Sequence, residues 1–376
     1  MFLETLFLVQ VALIPVFIQE FHLSIFEVSL VATVPALVQL LMNFPSGFFA
    51  DHLNTKHLLF VSMLVEGIAA LLVSQMNNFL VLVLAVSLMR MTAPLYHISA
   101  LSQISRFVSR DKIDRAMGFH NALGGLGSAI GLVSLALILS TTNWRMVYIL
   151  WSVPLIVWGL FLLASKSMGS ANIQPARSDK LAMNKLSLLF SAEFLVFMTV
   201  IALRAVEFSG TQTFMTTYLV DTRGVSEATA SLIFGLGPFL GMMGSLAGGY
   251  LGEKTGAKRA ATLSMIGCII SLVFLAFATN IFALTLIYLI YAFFGASVWS
   301  PMTSLVADVT PVTGRGIGYS VYFFVEGTMN SLTPAIAAVL IGMTEIWFIF
   351  PFSIISVSLG AFLLQFLRIT RKHQIP

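Results

Sequence analysis

Charged residues are scarce in this sequence. Lys, Arg, Asp and Glu together make up 10% of its 376 residues, whereas a soluble domain carries about 25%. Hydrophobic residues make up 58%, and the mean hydropathy is +0.95. Because so few polar side chains are available to cover a folded surface, the composition excludes an ordinary soluble domain and indicates a membrane protein.

Cysteine is nearly absent, since Cys268 is the only one and lies inside an apolar segment. A single cysteine excludes both a disulfide framework and a thiolate metal site. The apolar start after Met1 lacks the basic n-region of a cleavable signal peptide, so we expect a retained helix there. The pI near 9.2 does not indicate nucleic-acid binding, because the basic residues lie in short loops between apolar runs.

The water-facing segments also lack the patterns of reactive sites. They contain no Ser-His-Asp order, no phosphate-binding glycine loop and no His/Cys cluster. We therefore expect no enzymatic activity, no cofactor and no metal site.

Twelve apolar runs are long enough to cross a membrane, which takes about 20 residues of helix. They lie at about 2–19, 27–49, 58–75, 79–104, 116–139, 145–165, 187–210, 227–251, 260–278, 281–307, 316–341 and 346–367. The sequence therefore predicts an all-α membrane protein with twelve transmembrane helices.

A polar stretch at residues 166–186 divides the runs into two sets of six. We predict an N-terminal six-helix bundle at 1–165, a cytoplasmic linker, and a C-terminal six-helix bundle at 187–376. The halves resemble each other, since Arg115-Ala-Met-Gly118 opens the fifth run and Arg315-Gly-Ile-Gly318 opens the eleventh. Two parallel repeats related by an axis along the membrane normal explain this pattern.

The basic residues predict the orientation of the chain. With the N-terminus inside, 16 of the 20 Lys and Arg residues lie on the cytoplasmic side, and only Arg145 and Arg223 lie outside. Cytoplasmic loops carry such an excess. We therefore expect both termini in the cytoplasm and the protein in the plasma membrane.

A short loop occurs twice in register. Each copy has a glycine, then an acid and then a base, and the second copy follows the first by 202 residues. The three residues are Gly47, Asp51 and Lys56 in the first copy and Gly249, Glu253 and Lys258 in the second.

This loop resembles the signature G-x-x-x-D-R-x-G-R-K between helices 2 and 3 of the major facilitator superfamily. The matching residues of the first copy are Gly47, Ala50, Asp51 and Lys56, whereas His52, Asn54 and Thr55 depart from the signature. The resemblance covers essentially the whole chain. It implies two six-helix repeats and secondary active transport of a small molecule by alternating access, with these loops as a cytoplasmic gate.

In that gate Asp51 either pairs with a nearby cation such as Arg115 or accepts hydrogen bonds at a helix N-terminus. A second, shorter resemblance joins Pro94–Ala100 and Arg115–His120 to facilitators of the fosmidomycin-resistance type. The fifth run has Gly131 but lacks the proline of the antiporter signature Gly-Pro-x-x-Gly-Gly, which leaves the direction of transport open.

Charges within spans cost at least ~2.5–3.5 kcal/mol on insertion scales, so they usually face a cavity or a partner. The candidates for substrate binding or proton coupling are Arg90, His97, Arg204, Glu207 and Glu326. Glu66 and His120 are interpreted as structural, and Glu4 and Glu193 need no special role because they lie near the water-accessible cytoplasmic ends of their runs.

Each candidate has a structural alternative. Arg90 and His97 share a face of the fourth run, where an arginine is tied to proton movement in related exporters; alternatively, helix carbonyls or an acid satisfy Arg90. Arg204 and Glu207 are spaced to pair with each other. Glu326 has no cation near it on its own helix, which suits either reversible protonation or a hydrogen bond from a neighbouring helix.

The expected function is transport of a small organic solute, coupled to protons, with efflux as the preferred direction. Uptake of a small organic anion, held by Arg90 and Arg204, stays open, and so does a non-transporting membrane sensor or scaffold. The expected partners are a small-molecule substrate, protons and the lipid bilayer, without nucleic acid, and we expect a monomer.

Overall fold

The computed structural model describes residues 1–7, 9–23, 25–139, 141–165, 191–225, 227–311 and 314–367. The predicted linker at 166–186 lies outside the described residues. The same holds for the basic residues of that linker and for those after residue 367.

The described residues are almost entirely helical. In the first half a 3-10 helix at Phe2–Leu6 precedes α1 (Val9–Ala12), α2 (Ile14–Phe21), α3 (Ile25–His52), α4 (Thr55–Gln75), α5 (Phe79–Phe107), α6 (Ile113–Leu139) and α7 (Arg145–Ala164). The second half contains α8 (Ala192–Asp221), α9 (Glu227–Thr255), α10 (Ala257–Phe277), α11 (Ile281–Ser297), α12 (Trp299–Val309), α13 (Arg315–Met343), a 3-10 helix at Ile346–Phe348 and α14 (Ile349–Gln365).

Helices of the described chain lie on all twelve predicted runs. Ten helical segments of the described chain are long and apolar enough to cross a membrane. Of the other two runs, 227–251 lies on the 29-residue α9, and 2–19 carries the 3-10 helix, α1 and α2.

The run at 281–307 is interrupted at Val298, between α11 and α12. Pro301 lies in the first turn of α12. Because proline has no backbone N–H, the carbonyl of Ser297 loses the donor that a continuous helix would supply. The predicted run is therefore one segment long enough to cross a membrane, made of two helices that meet at this residue.

Contacts between residues divide the chain into two compact units. The first contains the residues before 104, the described residues from 123 to 165 and those from 314 to 323. The second contains residues 104–122, the described residues from 191 to 311 and those from 324 to 367. Each unit thus includes a short segment from the other half of the sequence.

In the first unit α4 packs along α7, and α6 approaches the first segment of the chain through glycines. A Cβ atom at Gly127 would lie 2.1 Å from the carbonyl oxygen of Met1, and one at Gly131 would lie 1.8 Å from that of Thr5. Only glycine allows backbones to approach so closely, as in other membrane helix pairs.

The second unit uses the same device between different helices. Here α9 packs against α11, α8 packs against α14, and α10 contacts both α11 and α14. A Cβ atom at Gly244 would lie 2.0 Å from the carbonyl oxygen of Phe293, and one at Gly248 would lie 2.1 Å from that of Ser297. The glycines therefore set the distance between α9 and α11.

We predict that Gly131→Ala destabilises the first unit by about 1–3 kcal/mol, the usual cost of overpacking, because the added methyl group must displace the backbone at Thr5. The matched control is Gly235→Ala on α9, where a Cβ atom meets nothing within 4 Å. Thermal unfolding of purified protein in detergent measures the effect. Equal melting temperatures for the two variants would contradict this account of the packing.

Candidate functional site

The Asp51 carboxylate binds the first turn of α13. Its Oδ1 accepts a hydrogen bond of 2.8 Å from the backbone N–H of Gly316, and its Oδ2 accepts one of 3.1 Å from that of Ile317. The N–H groups of a first helical turn have no partner within their own helix, and the helix dipole favours a negative charge there. Asp51 is 5% exposed, so water screens this interaction little.

Two glycines make this contact possible. A Cβ atom at Gly47 would lie 2.4 Å from Cβ of Ser320, and one at Gly316 would lie 2.5 Å from the carbonyl oxygen of Gly47. The hydroxyl of Ser320 also donates to the carbonyl oxygen of Asn43 at 2.6 Å. The glycine and the acid of the first loop copy therefore both contact the start of α13. Of the two predicted alternatives for Asp51, hydrogen bonding to a helix N-terminus is present in the structure.

The second copy makes a different contact. Gly249 packs on α6, where a Cβ atom would lie 2.8 Å from Cα of Gly118. Glu253 Oε2 lies 3.9 Å from Nε of Arg115, and the two side chains are 26% and 57% exposed. Exposed pairs at such a distance contribute about 0–1 kcal/mol. The acid at Asp51 is thus buried and hydrogen-bonded to backbone, whereas the acid at Glu253 forms a weak surface pair.

The bases of the two copies bind helix C-termini. Lys56 Nζ donates to the carbonyl oxygen of Ser165, just after α7, at 2.7 Å. Lys258 Nζ donates to the carbonyl oxygens of Gln365 at 2.7 Å and Leu367 at 3.0 Å, at the end of α14. A cation stabilises the last carbonyls of a helix. Each lysine thus holds the end of the sixth predicted helix of its own half.

Asn54 explains one departure from the family signature. It is the N-cap of α4, where its side chain accepts a hydrogen bond of 2.9 Å from the backbone N–H of Lys56. At the equivalent position of the second copy Gly256 precedes α10 with a φ of 89°, a region that glycine enters without strain. The same turn is therefore made by side-chain capping in one copy and by glycine in the other.

Arg90 contacts the first segment of the chain. Its Nη2 donates to the carbonyl oxygen of Phe7 at 2.7 Å, its Nε donates to Oε1 of Gln10 at 3.3 Å, and its guanidinium lies 3.9 Å over the Phe7 ring. Arg90, Gln10, Glu66 and Tyr148 line a small cavity within this unit. The structural alternative for Arg90, in which a backbone carbonyl oxygen accepts a hydrogen bond from its guanidinium, is thus present in the structure.

His97 forms an ion pair that the sequence does not predict. Its Nε2 lies 2.6 Å from Oε1 of Glu4, and the two side chains are 25% and 17% exposed. The position of Glu4 near the end of its run predicts no special role for it, and no spacing rule connects residues 93 positions apart. Glu66 is 4% exposed and accepts a hydrogen bond of 3.0 Å from the Thr92 hydroxyl.

Arg204 and Glu207 form the pair that their spacing predicts. Arg204 Nη1 lies 2.8 Å from Glu207 Oε2, and the side chains are 7% and 0% exposed. The Tyr291 hydroxyl donates to Glu207 Oε1 at 2.6 Å, and Arg204 Nη2 donates to the carbonyl oxygen of Gly295 at 2.7 Å. Gly295 lies in the last turn of α11, next to the interruption at Val298. The pair therefore joins α8 to the broken helix.

Glu326 lies on α13 and is partly exposed. Among the described residues, no group forms a hydrogen bond or an ion pair with its carboxylate. The charge of Arg204 acts on it electrostatically. The structure thus separates the predicted candidates: Arg90 and His97 lie in the first unit, and Arg204, Glu207 and Glu326 lie in the second.

The paired loops, the two sets of six runs and the helical fold agree with one family. The model of the Major Facilitator Superfamily matches residues 5–334 and 222–375. The chain belongs to the Major Facilitator Superfamily. Members of this superfamily are membrane transporters, not enzymes. The predicted fold class is therefore confirmed, and the chain is a multi-pass membrane transporter.

Individual proteins resemble this facilitator more distantly. The "Probable nitrate transporter NarT" of Staphylococcus carnosus (strain TM300) is 22% identical over 273 residues, which are 73% of this chain and 69% of that protein. The E. coli fucose:proton symporter FucP has a TM-score of 0.81 at 13% identity, covering 98% of this chain and 97% of its own. A bacterial homologue of the iron transporter ferroportin, in its outward-facing state, has a TM-score of 0.78 at 14% identity, with 97% and 96% covered. At these identities the structures share only the fold.

We predict that Arg204→Met destabilises this facilitator by about 3–5 kcal/mol, because it leaves the Glu207 carboxylate buried without its counter-ion. The double variant Arg204→Met, Glu207→Met removes both charges and should recover much of that loss. Thermal unfolding in detergent, followed by tryptophan fluorescence, compares the two. A single variant as stable as the double variant would show that Glu207 needs no counter-ion.

Proposed function

We propose that this facilitator is a proton-coupled secondary active transporter of small solutes that works by alternating access. Glu326 carries the proposal, because it is an acid within a transmembrane helix whose carboxylate has no hydrogen-bonding or ion-pair partner among the described residues. A permanent charge without a partner is costly within a membrane span, so such a carboxyl suits binding and release of a proton. Glu207, neutralised by Arg204, suits this role less.

The proposed gate is the contact of Asp51 with the start of α13. It joins the acid at the end of α3 to backbone groups of a helix from the other half of the sequence. Hydrogen bonds to a charged group are worth about 1.5–3 kcal/mol each, which is enough to favour one state of the transporter while still allowing it to open. Gly47 and Gly316 permit the contact, Glu253, Gly249 and Arg115 contribute a weaker one, and Lys56 and Lys258 hold the two loops in place.

For the direction of transport we propose efflux of a small organic solute in exchange for protons. Uptake together with protons is the second candidate. It is favoured by the similarity to a protein named a probable nitrate transporter and by the fold shared with the fucose:proton and xylose:proton symporters. In an uptake transporter of anions Arg90 is the residue for the negative group, because its charge is not neutralised by an acid on its own helix.

The proposed setting is the plasma membrane, with a monomer whose termini both lie in the cytoplasm. The excess of basic residues in alternate loops supports this orientation. It places the Asp51 and Glu253 loops on the cytoplasmic side, where the proposed gate closes.

We predict that Asp51→Asn opens the cytoplasmic gate. The reporter is Ser320→Cys in a Cys268→Ser background, because Ser320 is 1% exposed beside Gly47 and Cys268 is the only native thiol. An amide nitrogen cannot accept the second hydrogen bond, so maleimide labelling of the reporter should rise by about tenfold, the equivalent of 1.4 kcal/mol. Glu253→Gln is the matched control and should change labelling little. Equal labelling in both variants would contradict the proposed gate.

We predict that Glu326→Gln abolishes transport driven by a pH gradient but retains exchange of substrate without a gradient, because the amide keeps the shape and cannot release a proton. The substrate for this assay is chosen by thermal shift from small solutes that include nitrate, fucose and xylose. Flux into and out of proteoliposomes, with the pH gradient in either direction, also separates efflux from uptake. Glu345→Gln, an exposed acid after α13, serves as control. Full gradient-driven flux in Glu326→Gln would remove this residue from coupling.

A further inference from the structure

We propose that Glu4 and His97 form a proton-binding pair that controls the gate through Phe323. The inference rests on the proposed proton-coupled function and adds a second titratable site to it, in the first compact unit. It assigns a role to Glu4, which the sequence left without one.

The pair has the geometry and the access that proton binding needs. The distance of 2.6 Å between His97 Nε2 and Glu4 Oε1 is that of a short, charge-assisted hydrogen bond. Histidine is the side chain that ordinarily changes its charge between pH 5 and 8. Because both side chains keep part of their surface exposed, 25% and 17% respectively, protons can reach the pair without unfolding the helices around it.

The backbone of Glu4 is fixed in place by α6. A Cβ atom at Gly124 would lie 3.5 Å from Cγ of Glu4. Gly127 and Gly131 contact the backbone on either side of Glu4. The Ser128 hydroxyl also donates to the carbonyl oxygen of Glu4 at 3.3 Å. A change of charge in the pair is therefore more easily met by movement of the imidazole than by movement of Glu4.

Other charged groups surround the pair and set its electrostatic background. The groups that act on Glu4, besides His97, are the amino group of Met1, the guanidinium of Arg90 and the carboxyl of Glu66. Phe323, the neighbour from α13, is uncharged, and Tyr96 packs edge-on against the ring from the same helix. His97 itself contacts both Glu4 and Phe323 of α13.

The contact with α13 links the pair to the gate. The ring centroids of His97 and Phe323 are 6.2 Å apart, within the range of interacting aromatic rings. Phe323 lies on the same helix as Gly316 and Ile317, which bind Asp51, and within two turns of them. The structure has the pair already in contact at 2.6 Å, with the gate contact formed. When His97 loses its proton, the ionic attraction to Glu4 is lost and the imidazole is no longer held in its position against Phe323. Proton release thereby loosens the part of α13 that holds the gate shut.

The experiment measures gate opening against pH with the same reporter, Ser320→Cys in the Cys268→Ser background. The labelling rate at each pH is divided by that of the SDS-unfolded protein, which removes the pH dependence of the thiol itself. We expect the normalised rate to rise as the pH increases from 5 to 8, the range in which histidine titrates. The rise should be lost in His97→Gln, which removes the titrating ring, and in Glu4→Gln, which removes the carboxylate that holds it.

Two further variants make the result specific. His52→Gln removes an exposed histidine next to Asp51, the obvious competing source of pH dependence, and should leave the rise unchanged. Phe323→Leu keeps the pair but removes the aromatic contact, so it should flatten the rise. It also tests the proposal if Glu4→Gln or His97→Gln proves unfolded by gel filtration.

The outcomes separate this inference from the proposed function. A rise that persists in Glu4→Gln, His97→Gln and Phe323→Leu overturns the pair. If that rise is lost in Glu326→Gln, proton coupling through α13 still stands. A rise that disappears with His52→Gln assigns the effect to the surface histidine and also overturns the pair, and a wild-type gate without any pH dependence counts against both proposals.

Discussion

Helix ends in or near a membrane need hydrogen-bonding partners that lipid cannot supply. In the described parts of this chain, charged side chains provide many of them. Asp51 binds the first turn of α13, whereas several cations bind carbonyl oxygens where helices stop or break, among them Arg90 at Phe7, Arg204 at Gly295, Lys56 at Ser165 and Lys258 at the end of α14. Several of the few charges in this composition thus supply hydrogen bonds that helix ends lack.

The architecture could be predicted from the sequence because the relevant signals are local. Apolar run length gives the helices, and the recurrence of Asp51 and Lys56 as Glu253 and Lys258 gives the duplication. The pairing of Arg204 with Glu207 follows from helical spacing alone. The pair of Glu4 and His97, by contrast, depends on how α6 holds the first segment against α5. This packing involves three separate segments, so no local sequence pattern predicts it. The interruption at Val298 had a visible cause in Pro301, but hydropathy averages over such a residue and predicts one helix.

The two loop copies have kept the same anchor and diverged in their acids. Lys56 and Lys258 bind the end of the sixth helix in their respective halves, and the residues they bind are also about one repeat apart. Asp51 binds backbone N–H groups with both oxygens, whereas Glu253 faces an arginine across 3.9 Å with much of both side chains exposed. The anchors join residues within one half of the sequence, whereas the acidic contacts join residues of different halves.

The close approach at Gly47 and Gly316 has a genetic consequence. A larger residue at a packed position can often be tolerated when a smaller one replaces its neighbour. Here a Cβ atom at Gly316 would lie 2.5 Å from the carbonyl oxygen of Gly47, and both partners already lack a side chain. A backbone carbonyl cannot be made smaller, so no substitution at Gly47 gives back the volume that a side chain at Gly316 would take. Revertants of a damaged contact should therefore arise at distant positions that change the tilt of α3 or α13, and such suppressors would map the axis about which these helices turn.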